Sequence, residues 1–266
     1  MNKSFVDAEY LRVAGDLLAA VKQRSYVLMD LPDPADVIDI GCGPGSDTMP
    51  LADLVGAGGQ VHGVDADPEM ISLANTRARE RDISNITYQV ADALDLPFDE
   101  ATFDASRCER LFQHLREPAR ALTEMIRVTK PGGRVVVVDT DWGALSCDSL
   151  EDDIERRLAR VRTEHVLRNG YSGRQLHRLL VSSGLHDVHL EVMPVWSTNY
   201  QVARAMTFLD ETEQLALQQG VVAPNELERW QTGLDAASAN GTFFVSVSVV
   251  LAVGVRQPGR QEALLV

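Results

Sequence analysis

Cysteine is scarce: Cys42, Cys108 and Cys147 are the three in 266 residues. An odd number, wide spacing and the lack of any CxxC pair exclude a disulfide framework and a thiolate zinc site. No metal is expected. Long apolar runs are also missing. The longest, 245–255, is broken by Ser246, Ser248 and Gly254, and a membrane span needs roughly 18 such residues. Positive charge is in deficit, with 25 Lys and Arg against 39 Asp and Glu and a formal net charge of -14. Such a chain repels nucleic-acid phosphates, and no Lys/Arg cluster offsets that field. The first ten residues lack the basic-then-apolar pattern of a secretion signal, so a cytoplasmic location is expected. The oligomeric state is not legible, which leaves a homodimer open.

What is present is ordinary for a soluble globular protein: 45% hydrophobic and 24% charged residues. The length suits one α/β domain with insertions. Tyr10, Val13, Ala14, Leu17 and Val21 recur at helical spacing over 4–30, and prolines 32 and 34 end that segment. Strands are expected at 36–41, 60–65, 86–91, 102–107 and 134–139, alternating with helices at 46–55, 67–81 and 117–129. Asp67 is placed to cap the second of these helices, with Pro68 in its first turn. The continuous apolar run at 134–139 predicts a strand covered on both faces. Beyond residue 140 the spacing predicts helices near 154–161 and 174–183, a strand at 185–195, two helices over 200–238 broken at Gly220 to Pro224, and a final β-rich run at 242–255. The expected fold is a Rossmann-like, seven-stranded, mostly parallel sheet with helices on both faces and an antiparallel last strand. A helical cover at 1–34 precedes the main domain at 35–266, whose helical insertion lies at about 200–238.

The segment Asp39-Ile-Gly-Cys-Gly-Pro-Gly45 joins the first strand to a helix. Glycines there let the backbone approach a ligand at the carboxyl edge of the sheet. A dinucleotide fingerprint starting at Gly41 needs a third small residue at position 46, which is Ser; the glycines instead fall at 41, 43 and 45. Asp65 ends the second strand, where a carboxylate can accept bonds from both ribose hydroxyls. Asp92-Ala93 ends the third, Phe103-Asp104 opens the fourth, and Lys130-Pro-Gly-Gly133 precedes the fifth.

Four of these motifs, the glycine loop, Asp65, Asp92-Ala93 and Lys130-Pro-Gly-Gly133 in this order, resemble the class I S-adenosylmethionine-dependent methyltransferases, most closely the ubiquinone/menaquinone-biosynthesis branch and its natural-product relatives. The resemblance is close over about 35–140 and loose elsewhere. It implies S-adenosylmethionine as cofactor. Asp39, Gly41, Gly43 and Gly45 would line its methionine part, Asp65 would bind the ribose, Ala66 and Met70 would lie near adenine, and Asp92 and Ala93 would hold the adenine edge. Cys108 matches a position whose carbonyl faces the methionine amine.

Methyl transfer disperses charge, so alignment supplies most of the catalysis; a base helps only where the acceptor must lose a proton. His114, in Gln113-His114-Leu115, is the first candidate base and Glu109 the second. Asp104 reads as structural. Trp142, after strand five, can stack on a flat or cationic group. Tyr10, Tyr26, Trp196, Tyr200, Phe208 and Trp230 are grouped as the wall of a hydrophobic substrate chamber under the N-terminal helix and the insertion. The implied reaction is methylation of a small aromatic, quinone-like, polyketide or amine acceptor. Two alternatives stay open: cyclisation on the same fold and cofactor, and nicotinamide-dependent oxidoreduction.

Overall fold

Val135, Val136, Val137 and Val138 explain the layering. Strand side chains alternate. Val135 and Val137 enter one hydrophobic core with Ile38, Ile40 and Met125, while Val136 and Val138 enter a second core, on the opposite face, with Val37, Leu51 and Leu251. The computed structural model describes residues 8–258, with side chains described from Leu17 onward. The expected helical start at 4–7 and the Tyr10 side chain lie outside the described residues.

The first half comprises α1 (Ala8–Met29), β1 (Asp36–Ile40), α2 (Thr48–Leu54), β2 (Gln60–Asp65), α3 (Pro68–Glu80), β3 (Ile86–Val90), β4 (Phe103–Glu109) and α4 (Pro118–Val128). Asp67 caps α3 by accepting from Glu69 N at 2.8 Å, with Pro68 following. Asp104 accepts from Asp36 N and from Lys130 Nζ, both at 2.8 Å, which clamps the start of β4 to its neighbours. The second half comprises β5 (Thr129–Cys147), α5 (Asp152–Val161), α6 (Ser172–Ser182), β6 (His186–Ser197), α7 (Tyr200–Met206), α8 (Leu209–Gln218), α9 (Pro224–Ala239) and β7 (Val245–Val255). The sheet order is β3-β2-β1-β4-β5-β7-β6. Strands β1 to β5 are parallel, and β7 runs antiparallel to both β5 and β6. Among the described residues, no helix is long and apolar enough to cross a membrane.

Two expectations are corrected. Strand β5 does not stop at 139; after an irregularity between Asp141 and Ser146 it pairs again with β7, through Ser146–Ser246 and Cys147–Val245. The long β7 supplies the partner that local sequence does not advertise. The insertion holds three helices rather than two, because the chain also breaks at Phe208, which adopts φ +54° between α7 and α8. With α5 and the far ends of β5 and β7, these helices bury a third core around Trp142, Leu158, Trp230 and Phe243.

The back half of α1 is not a loose cover. Leu18, Val21, Tyr26, Leu28 and Met29 are buried in the second core.

Candidate functional site

Gly41, Gly43 and Gly45 have φ of +72°, +53° and +80°, a backbone region open to glycine at little steric expense. Gly41 N and Cys42 N donate to Val64 O at 2.8 and 3.0 Å, which ties the loop to β2. From behind, the Tyr88 hydroxyl lies 2.5 Å from Thr48 Oγ1, which also bonds Gly45 O at 3.1 Å; a Cβ on Gly45 would strike Tyr88. A Cβ on Gly43 would meet nothing within 4 Å. The loop is therefore buttressed on one side and open on the other.

Asp65 accepts from Gly43 N through Oδ2 and from Asp67 N through Oδ1, both at 2.9 Å. A carboxylate has about four acceptor positions, so two donors leave room for ribose hydroxyls. Ala66 is exposed and Met70 half-buried beside it. Asp92 is exposed, accepts from Leu94 N at 2.9 Å and bridges to Asp95 through the main chain; Ala93 is buried. Since β1, β2 and β3 are sheet neighbours, their carboxyl ends bring the loop, Asp65 and Asp92 to one crevice. The residues present fit an adenosyl cofactor there. Cys108 lies in register with Ile40, and its thiol is fully buried in the core, where burial pushes it well above the ordinary thiol range. Only its main chain is placed to face the crevice.

Beneath the loop lies a buried charge cluster that sequence reasoning missed. Arg107 is fully buried and bonds Asp39 at 3.0 Å, Asp47 at 3.3 Å, Glu109 at 2.6 Å and Ser25 Oγ at 2.9 Å. Lys22 reaches Asp47 at 2.5 Å and Glu109 at 3.1 Å, and Tyr26 donates to Asp47 at 2.5 Å. Burial pushes Asp39 up to about 7 against the pull of Arg107. Burial acts on Asp47 too, but Arg107 and Lys22 outweigh it and hold that carboxyl below the usual range. Tyr26 thus belongs to this cluster and not to a substrate wall. The signal that points to it is Arg107-Cys108-Glu109: alternation places residues 107 and 109 on one face of β4, and the other partners come from α1 (Lys22, Ser25, Tyr26), from β1 (Asp39) and from the residue before α2 (Asp47).

Past β4, the main chain turns at Arg110 (φ +53°) into a short 3-10 turn, Phe112–His114. Leu111 packs over Gly41. Gln113 is buried: its N–H donates to Asp139 at 3.0 Å, and its Oε1 accepts from Trp142 Nε1 at 2.7 Å. With Oε1 so engaged, Nε2 donates to His114 Nε2 at 3.0 Å. His114 itself is exposed. Asp139 is fully buried, also accepts from Thr140 N at 2.8 Å, and is pushed up to about 7 by burial.

An apolar chamber opens beside this turn, walled by Arg110, Thr140, Trp142, Leu145, Trp196, Met206 and Val249 among others. Of the grouped aromatics among the described residues, only Trp196 lines it. Phe208 packs edge-on against Trp142, Tyr200 bonds Arg204 at 2.6 Å, and Trp230 lines a second cavity deeper in the helical region.

A family model described as a methyltransferase domain matches residues 33–184. An uncharacterized 37.1 kDa protein in transposon TN4556 of Streptomyces fradiae is 32% identical over 256 residues, covering 95% of this chain and 72% of its own. A probable chloroplastic tocopherol O-methyltransferase from Oryza sativa subsp. japonica is 27% identical over 253 residues, covering 88% of this chain and 69% of its own. Among solved structures, the YcgJ protein from Bacillus subtilis shares the fold with a TM-score of 0.62 at 21% identity, over 92% of this chain and 99% of that one.

Proposed function

The chain belongs to the class I S-adenosylmethionine-dependent methyltransferases and uses S-adenosylmethionine, and from that premise we propose that it methylates a small aromatic, quinone-like or polyketide acceptor held in the apolar chamber. One observation carries this reading. Leu111 packs over Gly41 while the preceding Arg110 lines the chamber, so adjacent residues join the cofactor crevice to an acceptor space. No Asp or Glu is among the described residues that line the chamber, and Arg110 is itself paired with Glu109 at 3.4 Å, so the wall offers a cationic amine no counter-charge.

The cofactor brings an electrophilic methyl group; the protein's part is to hold, align and dry the two reactants. Asp65 and Asp92 fix the adenosyl end, and the open face at Gly43 admits it. Alignment of this kind is worth up to about 7–11 kcal/mol. Where the acceptor is a phenol or enol, His114 takes its proton on Nε2, the ring's acceptor nitrogen, once the acceptor hydroxyl displaces the Gln113 amide from it. Glu109 acts differently, because its carboxylate is engaged by Arg107 and Lys22 and holds the floor of the crevice.

Calorimetry should give micromolar binding of S-adenosylmethionine and S-adenosylhomocysteine, with no comparable affinity for NAD or NADP. Labelled methyl transfer to a panel of phenols, quinols, polyketides and amines then tests the acceptor class. A product heavier by one methyl group, drawn from the neutral or acidic compounds, is expected. Transfer confined to cationic amines, or turnover without a mass change, would sink the proposal.

A further inference from the structure

The chamber shares a wall with the second cavity; Leu145, Ala203, Thr207 and Val245 line both. The inner cavity is apolar over most of its surface, yet Arg162 lines it. This arginine is 3% exposed. Its hydrogen bond runs from Nε to Thr207 O at 2.8 Å. Among the described residues, no carboxylate oxygen lies within 4.0 Å of its guanidinium. The nearby acids are committed elsewhere: Glu155 accepts from Cys147 N at 2.7 Å, and Glu213 accepts from Trp230 Nε1 at 3.0 Å and Gln231 Nε2 at 2.6 Å.

A buried guanidinium without a close counter-ion is unfavourable for folding, so its retention calls for a partner that is not part of the fold. Burial lowers its pKa to about 10, against the fields of Cys147, Glu155 and Glu213; it therefore still carries its charge at neutral pH. Arg162 also opens a π-helical turn, 162–166, a distortion frequently found at functional sites. Its bond to Thr207 O ties it to the break after α7, whose Ala203 and Met206 line the outer chamber.

We propose that Arg162 recognises a carboxylate at the far end of the acceptor, so that the substrate is an elongated apolar acid whose tail group passes Thr207 into the inner cavity. This rests on the reading of the outer chamber as the acceptor space. The guanidinium presents a fork of donors that suits a carboxylate, and the apolar walls on either side suit the hydrocarbon between that group and the methylated end.

The test uses octanoate, 1-octanol and acetate as probes, titrated calorimetrically into the whole protein saturated with S-adenosylhomocysteine. Octanoate should bind about 10- to 100-fold more tightly than octanol, against the order that hydration alone gives, and acetate should bind far more weakly than octanoate. Arg162→Met should erase the octanoate preference while leaving octanol and S-adenosylhomocysteine affinities unchanged. Its melting temperature without ligand should hold or rise, because a buried charge gives way to a thioether of similar length. Arg162→Gln serves as a second variant, and the wild-type octanoate-to-octanol ratio is itself decisive. Equal binding of the two chains, or a preference that survives both substitutions, overturns the role of Arg162. Acetate binding as tight as octanoate and lost in Arg162→Met overturns the link to the acceptor and leaves an isolated anion site. If neither chain binds while S-adenosylhomocysteine does, the outer chamber is not the acceptor space, and the premise fails rather than the assignment of Arg162.

Discussion

Arg107 and Arg162 are both buried, and their surroundings differ. Arg107 lies under the glycine loop with carboxylates of Asp39, Asp47 and Glu109 within 3.3 Å. Arg162 lies in the helical region with a main-chain carbonyl as its bonded partner. In the cofactor half, the charges that set the loop are balanced inside the fold, so the crevice is built before any ligand arrives. In the helical half, no carboxylate among the described residues lies within 4.0 Å of Arg162, and the proposed acid is what would supply one.

The His114 variants probe the seam between the halves and carry the largest expected effect. Replacing a working base lowers turnover by about 10²–10⁴, so His114→Ala should show that loss in single-turnover rates with cofactor saturating. His114→Asn should be similarly slow, since it keeps a hydrogen-bonding group but takes no proton. Full activity in both variants, on a protonated acceptor, would remove the base and leave alignment as the catalytic device. Arg107→Met comes next. It strips the cluster of its central cation and leaves three carboxylates with Lys22 and, beside Glu109, Arg110, a change expected to destabilise by about 3–5 kcal/mol in chemical denaturation. Arg162→Met should show no such loss. Equal destabilisation of the two variants would erase the contrast between the halves.

Asp65→Ala should weaken cofactor binding by about 2–4 kcal/mol, or 30- to 1,000-fold. The structure sharpens the reason: the same carboxylate accepts from Gly43 N and Asp67 N, so its removal also frees the loop. Asp65→Asn keeps one acceptor oxygen and should fall between. An unchanged dissociation constant in well-folded Asp65→Ala would take this residue out of the site.

The two halves also differ in how much of them is written locally. The crevice residues sit at strand ends within four short motifs, and β-strand alternation with short loops brings them together, so Asp65, Asp92 and the glycine loop are legible one segment at a time. The resemblance that names the cofactor rests on the same segments. The charge cluster is not legible, because Lys22, Ser25 and Tyr26 on α1 meet Arg107 only in three dimensions; a Tyr on a helix face reads equally well as a pocket wall. Arg162 follows Ile154, Leu158 and Val161 at the end of α5, where a basic residue reads as a favourable partner for the helix dipole. The break at Phe208 has no glycine, asparagine or proline to announce its left-handed conformation.

Asp139 offers a pH-dependent contrast to these substitutions. In the unfolded chain its carboxyl ionises near 4, whereas in the fold burial pushes it up to about 7. Between those values the native state holds the extra proton, so this group's contribution to stability is full at low pH and is lost as pH rises toward 7. The loss should amount to about 2–3 kcal/mol between about pH 5 and pH 7. Asp139→Asn should flatten that part of the profile, whatever constant offset the amide brings by pairing less well with the N–H groups of Gln113 and Thr140. An unchanged slope would show that Asp139 is ionised in the fold at low pH.

The smallest effect concerns two glycines two residues apart. Both Gly43 and Gly45 hold left-handed backbone, so alanine at either is strained by about 1–2 kcal/mol. The surroundings differ: the added Cβ meets nothing within 4 Å at position 43, whereas at position 45 it strikes the Tyr88 hydroxyl that is bonded to Thr48. Gly43→Ala should therefore stay within about 2 kcal/mol of wild type in denaturation, while its methyl group occupies space on the open side of the loop and weakens S-adenosylhomocysteine binding. Gly45→Ala should lose more stability than Gly43→Ala, because Tyr88 must move and its bond to Thr48 is disturbed. If Gly43→Ala binds the cofactor as wild type does, the cofactor does not approach that face of the loop. If Gly45→Ala is the milder of the two in denaturation, Tyr88 is not what buttresses the loop from behind, and the open and closed sides of the crevice floor must be reassigned.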